Sequence, residues 1–160
     1  MPRKLSHLDR SGRVRMVDVS AKRVTARRAI ARGRVFMHHD TLALLRGGQA
    51  AKGDAIAAAH LAGVMAAKRT SEIIPLAHAI PIDGVNLSFT LDAANSSVGI
   101  EASVTTRART GVEMEALTAV TAAALTLYDM LKAVDRGMVI GEITLWEKRG
   151  GRSGVWRRGA

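Results

Sequence analysis

The chain contains no cysteine. That absence removes disulfides, thiolate nucleophiles and Cys-ligated zinc or iron–sulfur centres. Aromatic residues amount to only 3%, which leaves few rings on which single-stranded bases could stack. No apolar run approaches the ~20 residues that cross a bilayer. The basic N-terminus is not followed by an apolar h-region, so no secretory signal is legible and the cytoplasm is the expected compartment. His38 and His39 are adjacent, but no His-x-x-x-His or His-Glu-x-x-His spacing occurs, and no metal site is expected. The segment "GGQAAKGD" fails the P-loop pattern, because no Ser or Thr follows Lys52.

What the chain has in plenty is positive charge. Its 160 residues carry a net charge of +10, with 48% hydrophobic and 24% charged residues. This is the balance of a globular protein long enough to bury a core. Its field attracts polyanions, whether nucleic acid, anionic membrane or a phosphorylated metabolite. The expected organisation is a flexible basic segment over residues 1–15, one domain over 16–158 and a tail at 159–160.

Between the ends, elements alternate. Val24–His38 reads as a strand. The segment from Lys52 to Pro75 holds a helix, with Asp54 as N-cap and Pro75 beyond its end. Val85, Leu87, Phe89 and Leu91 alternate on one face, "NSS" turns the chain, and Val98, Ile100, Ala102 and Val104 alternate again, which makes a hairpin. A long helix over Gly111–Asp135 and a strand from Gly137 to Lys148 complete the order β-α-β-β-α-β. The predicted class is α+β: a ferredoxin-like antiparallel sheet with two long helices on one face.

In the long helix, Leu117, Val120, Ala124, Leu127, Leu131 and Val134 form an apolar stripe. The opposite side carries Glu115, Ala119, Ala122, Thr126, Asp129 and Ala133. Most of these residues are small where a solvated face would carry long polar side chains, so something else is expected to pack closely against them, which argues for an oligomer with this helix, covered on both faces, at an interface. Glu115 and Asp129 lie fourteen positions apart, or roughly 21 Å along a helix, and cannot share one small site in one chain. Asp129 and Lys132 are i and i+3 and can meet. If all these charges serve one chemistry, Glu113 and Glu115 must reach a site completed by another subunit, or the ligand must be long. On spacing alone, a surface ion pair and a dipole-favoured acidic first turn explain the same residues.

Other groups suit anions. Lys52-Gly53 opens the first long helix, where free N–H groups favour phosphate. The glycine pair in "EKRGGRSG" can form an anion nest beside Lys148, Arg149 and Arg152. Lys68 at a helix C-terminus and His78 between Pro75 and Pro81 also have purely structural explanations.

"MVDVSAK" at 16–22, "KGDAIAAAHLAGVMAAKRTSEIIPLAH" at 52–78, "TGVEMEALTAVTAAALTLYDMLKAVD" at 110–135 and "EKRGGRSG" closely resemble the MoaC family of molybdenum-cofactor biosynthesis. The resemblance runs over about Met16 to Arg158. It implies a lyase that converts (8S)-3′,8-cyclo-7,8-dihydroguanosine 5′-triphosphate to cyclic pyranopterin monophosphate and pyrophosphate. It also implies a ferredoxin-like fold and a homohexamer, a trimer of dimers with active sites at subunit interfaces. No cofactor is implied beyond Mg²⁺ that could accompany the substrate phosphates, and no membrane or nucleic-acid partner.

The family pattern makes Asp129, Lys132 and Lys52 the catalytic positions. Leu76, Ala77, His78, Glu113, Met114 and Glu115 then line the substrate site, with Lys148, Arg27, Asp18 and Lys68 nearby. Arg27, Lys148 and Lys68 would take the phosphates, while Glu115 and His78 would face the guanine-derived base. The chain departs from the family at one loop. Ala77-His78-Ala79 stands where the family has Cys-His-Pro, so no thiolate can act there. An RRM-like RNA-binding module shares the element order, but "SVGIEASVTT" lacks the aromatics such a module exposes.

Overall fold

A computed structural model describes residues 6–159. In chain order the elements are β1 (Thr25–Phe36), α1 (His39–Arg46), α2 (Ala55–Lys68), α3 (Thr70–Ile73), β2 (Gly84–Asp92), β3 (Ser97–Ala108), α4 (Glu113–Leu131), β4 (Val139–Arg149) and β5 (Trp156–Arg157). The sheet is antiparallel in the order β2-β3-β1-β4-β5. Its first four strands have the ferredoxin-like arrangement, with α2 and α4 packed on one face.

Alternation explains the sheet. Val98, Ile100, Ala102 and Val104 on β3 are all at most 2% exposed. On β2 only Leu87 is fully buried; Val85, Phe89 and Leu91 are half-covered, because β2 is an edge strand. β1 presents Ala29, Ala31, Gly33 and Val35 to the helices. These are small, and α4 therefore lies close: a Cβ on Gly33 would meet Val120 Cγ1 at 2.6 Å. Beside this contact the β1–β4 register shifts, and Glu142 adopts φ 54°.

The seam between α2 and α4 is equally tight. Ala55, Ala59, Gly63 and Ala67 face inward along α2. A Cβ on Gly63 would stand 3.0 Å from the Ala119 carbonyl oxygen and 2.5 Å from Leu87 Cδ2. Ala116, Ala119 and Ala123 of α4 are fully buried. Part of the small-residue face expected to need outside cover is thus covered within the chain by α2, since only short side chains let two helices approach so closely. Ala122 and Thr126 are half-buried, while Asp129 and Ala133 remain exposed. On the apolar stripe Val120, Ala124, Leu127 and Leu131 are buried, but Val134 lies past the helix end and is 58% exposed. On length and composition alone, α4 is apolar enough to cross a membrane, contrary to the sequence expectation. Its apolar residues instead form the core against the sheet.

Asp54 caps α2 as expected, accepting from the Ala57 N–H at 2.9 Å. The helix does not run on unbroken toward Pro75. It breaks at Arg69, and Thr70 turns its hydroxyl back onto the Ala66 and Ala67 carbonyls. Met1–Leu5 lie outside the described residues. Residues 6–15 of the segment expected to be flexible form a turn closed by a Leu8–Val14 bridge. Asp9 Oδ1 accepts from the Ser11 and Arg13 backbones and from the Ser11 hydroxyl.

Candidate active site

The two ends of α4 carry different chemistry. At its C-terminal end Asp129 projects outward and Lys132 follows one turn later. Lys52 arrives from the loop between α1 and α2. Lys52 Nζ lies 2.8 Å from Asp129 Oδ2, and Lys132 Nζ lies 2.7 Å from Asp129 Oδ1. Hydrogen bonds from Lys132 and then Lys52 hold the Asp129 carboxyl down at about 2. All three side chains are about half exposed, at 47–52%. Exposed ion pairs contribute little to stability. Two ammonium groups on one carboxylate leave one positive charge in excess, which suits an anionic ligand.

At the N-terminal end, Glu113, Met114 and Glu115 meet the segment Ile74–His78 and residues 6–22 around a cavity of 820 Å³. Its wall includes Leu76, Ala77, His78, Glu113, Met114 and Glu115. Glu115 is only 4% exposed. Burial, and to a smaller degree the neighbouring Glu113 charge, push its carboxyl above the usual range. His78 Nε2 lies 2.7 Å from the Val17 carbonyl oxygen. A carbonyl only accepts, so Nε2 carries a proton and donates. The ring is therefore held without help from Ala77 or Ala79. Asp18 is adjacent: the Ser20 backbone N–H and hydroxyl, and then the charge of His78, lower its carboxyl pKa. Gly111 makes room for Glu113, since a Cβ there would overlap the Glu113 carboxylate, 1.9 Å from Oε2.

A second cavity, of 800 Å³, is lined by Lys22, Arg23, Thr25, Arg27, Gly151, Arg152 and Ser153. Arg27 donates to the Ala108 and Arg109 carbonyls at 3.1 Å each. Gly150 and Gly151 have φ of 92° and 74°. A Cβ on Gly150 would come within 2.2 Å of the Ala26 carbonyl, and one on Gly151 within 2.3 Å of Arg27 Nη1. Both positions thus need glycine for conformation and for space. The Thr25 hydroxyl beside this cavity is buried with no hydrogen-bond partner among the described residues. Lys148 donates to the Ser153 hydroxyl and pairs in register with Ala29 on the sheet face that also carries Arg27.

The sequence-predicted residues therefore separate into two groups. Lys52, Asp129 and Lys132 gather at one end of α4. Leu76, Ala77, His78, Glu113, Met114, Glu115 and Asp18 gather at the other, next to the cationic cavity of Arg27. Lys68 lines a smaller cavity of 230 Å³ with His78 and Glu115, rather than the cavity of Arg27. Sequence reasoning missed Lys22, which lines both the 820 Å³ cavity and the 800 Å³ cavity. It also missed His7 and Arg23 as lining groups, whereas Arg152, expected beside the glycine pair, does line the cavity of Arg27. Lys22 closes the motif "MVDVSAK", the one signal that could have pointed to it. Among the described residues no three His, Asp or Glu side chains cluster as metal ligands.

The description of the MoaC family matches residues 16–151. A protein of Heliobacterium modesticaldum called cyclic pyranopterin monophosphate synthase is 59% identical over 96% of this chain and 97% of its own length. One of Thermomicrobium roseum with the same name is 59% identical over 96% and 93%. A Mycobacterium bovis protein, cyclic pyranopterin monophosphate synthase 3, is 60% identical over 96% and 86%.

Proposed function

This chain belongs to the MoaC family, and from that premise we propose that it converts the 3′,8-cyclised dihydro-GTP to cyclic pyranopterin monophosphate and pyrophosphate. It is a lyase of molybdenum-cofactor biosynthesis. The observation that carries the site assignment is the Lys52–Asp129–Lys132 triad, an exposed, positively charged group with little structural purpose of its own.

The reaction sets three tasks: hold a triphosphate, open a ring by proton transfers, and close a cyclic phosphate as pyrophosphate leaves. Arg27, Lys148 and Lys22, with the glycine nest, suit the first and third, because fixed cations and N–H groups stabilise charge developing on phosphoryl oxygens. Lys52 and Lys132 serve the second as acid and base, oriented by the ionised Asp129. Glu115 and His78 face the guanine-derived base, whose N–H edge a carboxylate can accept. Lys68 stands behind these two and belongs with the base rather than the phosphates. Mg²⁺, where present, belongs to the substrate phosphates.

The two groups lie at opposite ends of one helix, separated by roughly 21 Å. We assign each complete site to a subunit interface, where the triad of one protomer faces the cavity of its partner in a hexamer of cytoplasmic location. The names of the relatives favour this reading over an RNA-binding module, and the open face of β3 carries Gly99, Glu101, Ser103 and Thr105 without a ring. The test is incubation with the cyclised nucleotide. Pyrophosphate and the pterin product are expected, and Lys132→Ala should lose about 10²–10⁴-fold in rate with its fold intact. Near-normal turnover in that variant would remove Lys132 from the mechanism.

A further inference from the structure

Asp135 is a buried carboxylate that the proposed mechanism does not use; it is 3% exposed. It sits just past the end of α4. Oδ2 accepts from the His38 N–H at 2.9 Å and from the Thr41 hydroxyl at 3.1 Å. Oδ1 accepts from the Gly137 N–H at 3.0 Å. His38 is the N-cap of α1 and makes no side-chain cap of its own. Asp135 therefore anchors the start of α1 through the N–H of its N-cap residue and the hydroxyl of Thr41, and sets a negative charge at that helix N-terminus.

The placement joins two elements that matter. Upstream, Asp135 lies three residues beyond Lys132, and its own N–H donates to the Leu131 carbonyl. Across the bond, α1 is locked at its start by Asp135 and in the core by Leu42 and Leu45. Its far end passes order onward: Gly47, Gly48 and Gln49 donate to the Ala43, Leu45 and Leu44 carbonyls. The loop that follows carries Lys52. One side chain thus connects the helix end bearing Lys132 to the helix and loop bearing Lys52.

We propose that Asp135 is a positioning residue that sets the Lys52–Asp129–Lys132 geometry by fixing the start of α1 to the end of α4. This rests on the reading of the triad as the reacting group. Reaction geometry is steep: a displacement of about 1 Å can cost ~10²-fold in rate.

The test uses the full-length protein and pyrophosphate release from the cyclised nucleotide, normalised to folded protein by circular dichroism. Asp135→Asn should lose about 10- to 100-fold in kcat, and Thr41→Val about tenfold. KM should stay within about twofold, because the cavity at the other end of α4 is untouched. Thr41→Ser, which keeps the hydroxyl, should restore the wild-type rate. In an Asp129→Asn background Thr41→Val should cost little more, since both act through one geometry. Additive losses in that cycle, or wild-type kcat in folded Asp135→Asn and Thr41→Val, overturn the proposal. If Asp135→Asn does not fold, Thr41→Val decides. Absence of pyrophosphate from the wild-type protein would instead sink the functional reading itself.

Discussion

Gly63→Ala sets two effects of opposite sign against each other in one methyl group. In a helix interior, alanine is favoured over glycine by about 1 kcal/mol. Were α2 a surface helix, the variant would be the more stable. The structure predicts the reverse. The new Cβ would lie 2.5 Å from Leu87 Cδ2 and 3.0 Å from the Ala119 carbonyl oxygen. Leu87 is 5% exposed and packed in the core, so its methyl has little room to swing. The Ala119 carbonyl is helix backbone and gives way only if α2 and α4 separate. Overpacking of this kind costs about 1–3 kcal/mol. After the propensity gain, a net loss of about 1 kcal/mol remains, or a fall of ~2–4 °C in Tm for a chain of this size. Calorimetry and denaturant titration at fixed protein concentration measure it. Because Lys52 precedes α2, product formation should also decline. A variant more stable than wild type would refute the claim that glycine at this position sets the α2–α4 distance.

Glu115→Gln should stabilise the protein at neutral pH while slowing product formation. A carboxyl raised above its ordinary 4.5 stabilises the fold while protonated, and that contribution fades as pH rises through the folded-state value. Wild-type denaturation midpoints should therefore fall across a window that opens near 4.5, a slope that the variant flattens. Asp129 has the opposite sign. Its contribution holds above 3.8 and disappears as pH falls toward about 2, and Asp129→Asn removes that acid limb. Gly151→Ala should displace the Arg27 guanidinium and raise KM about tenfold, with kcat less affected; an unchanged KM would take Arg27 out of phosphate binding. Finally, Lys132→Ala and Glu115→Ala chains, each inactive alone, should regain activity when co-assembled, as a site shared between subunits requires.

The hairpin and the long helices were legible because each has a clear period. Val98–Val104 alternate without exception, and Asp54 announces α2 with a local cap. α1 left no such trace. It is 8 residues long, and its N-terminal anion comes from Asp135, ninety-seven positions from His38. β5 was equally illegible: two residues that exist as a strand only through pairing with Glu147 and Lys148. The small residues of α4 were read as a face awaiting a neighbour. The neighbour was partly α2, which no periodicity within α4 could name.

Residue type and motif order determined the family, the class of fold and the inventory of reactive groups, since these depend on local chemistry and spacing. Fourteen helical positions were enough to show that Glu115 and Asp129 stand too far apart to meet. Tertiary structure alone decided the groupings: Lys52 against Asp129, Lys68 behind His78, Lys22 between two cavities, Asp135 beneath α1. Each of these joins segments distant in the chain, and their meeting is set by how closely alanine and glycine let the helices and sheet approach.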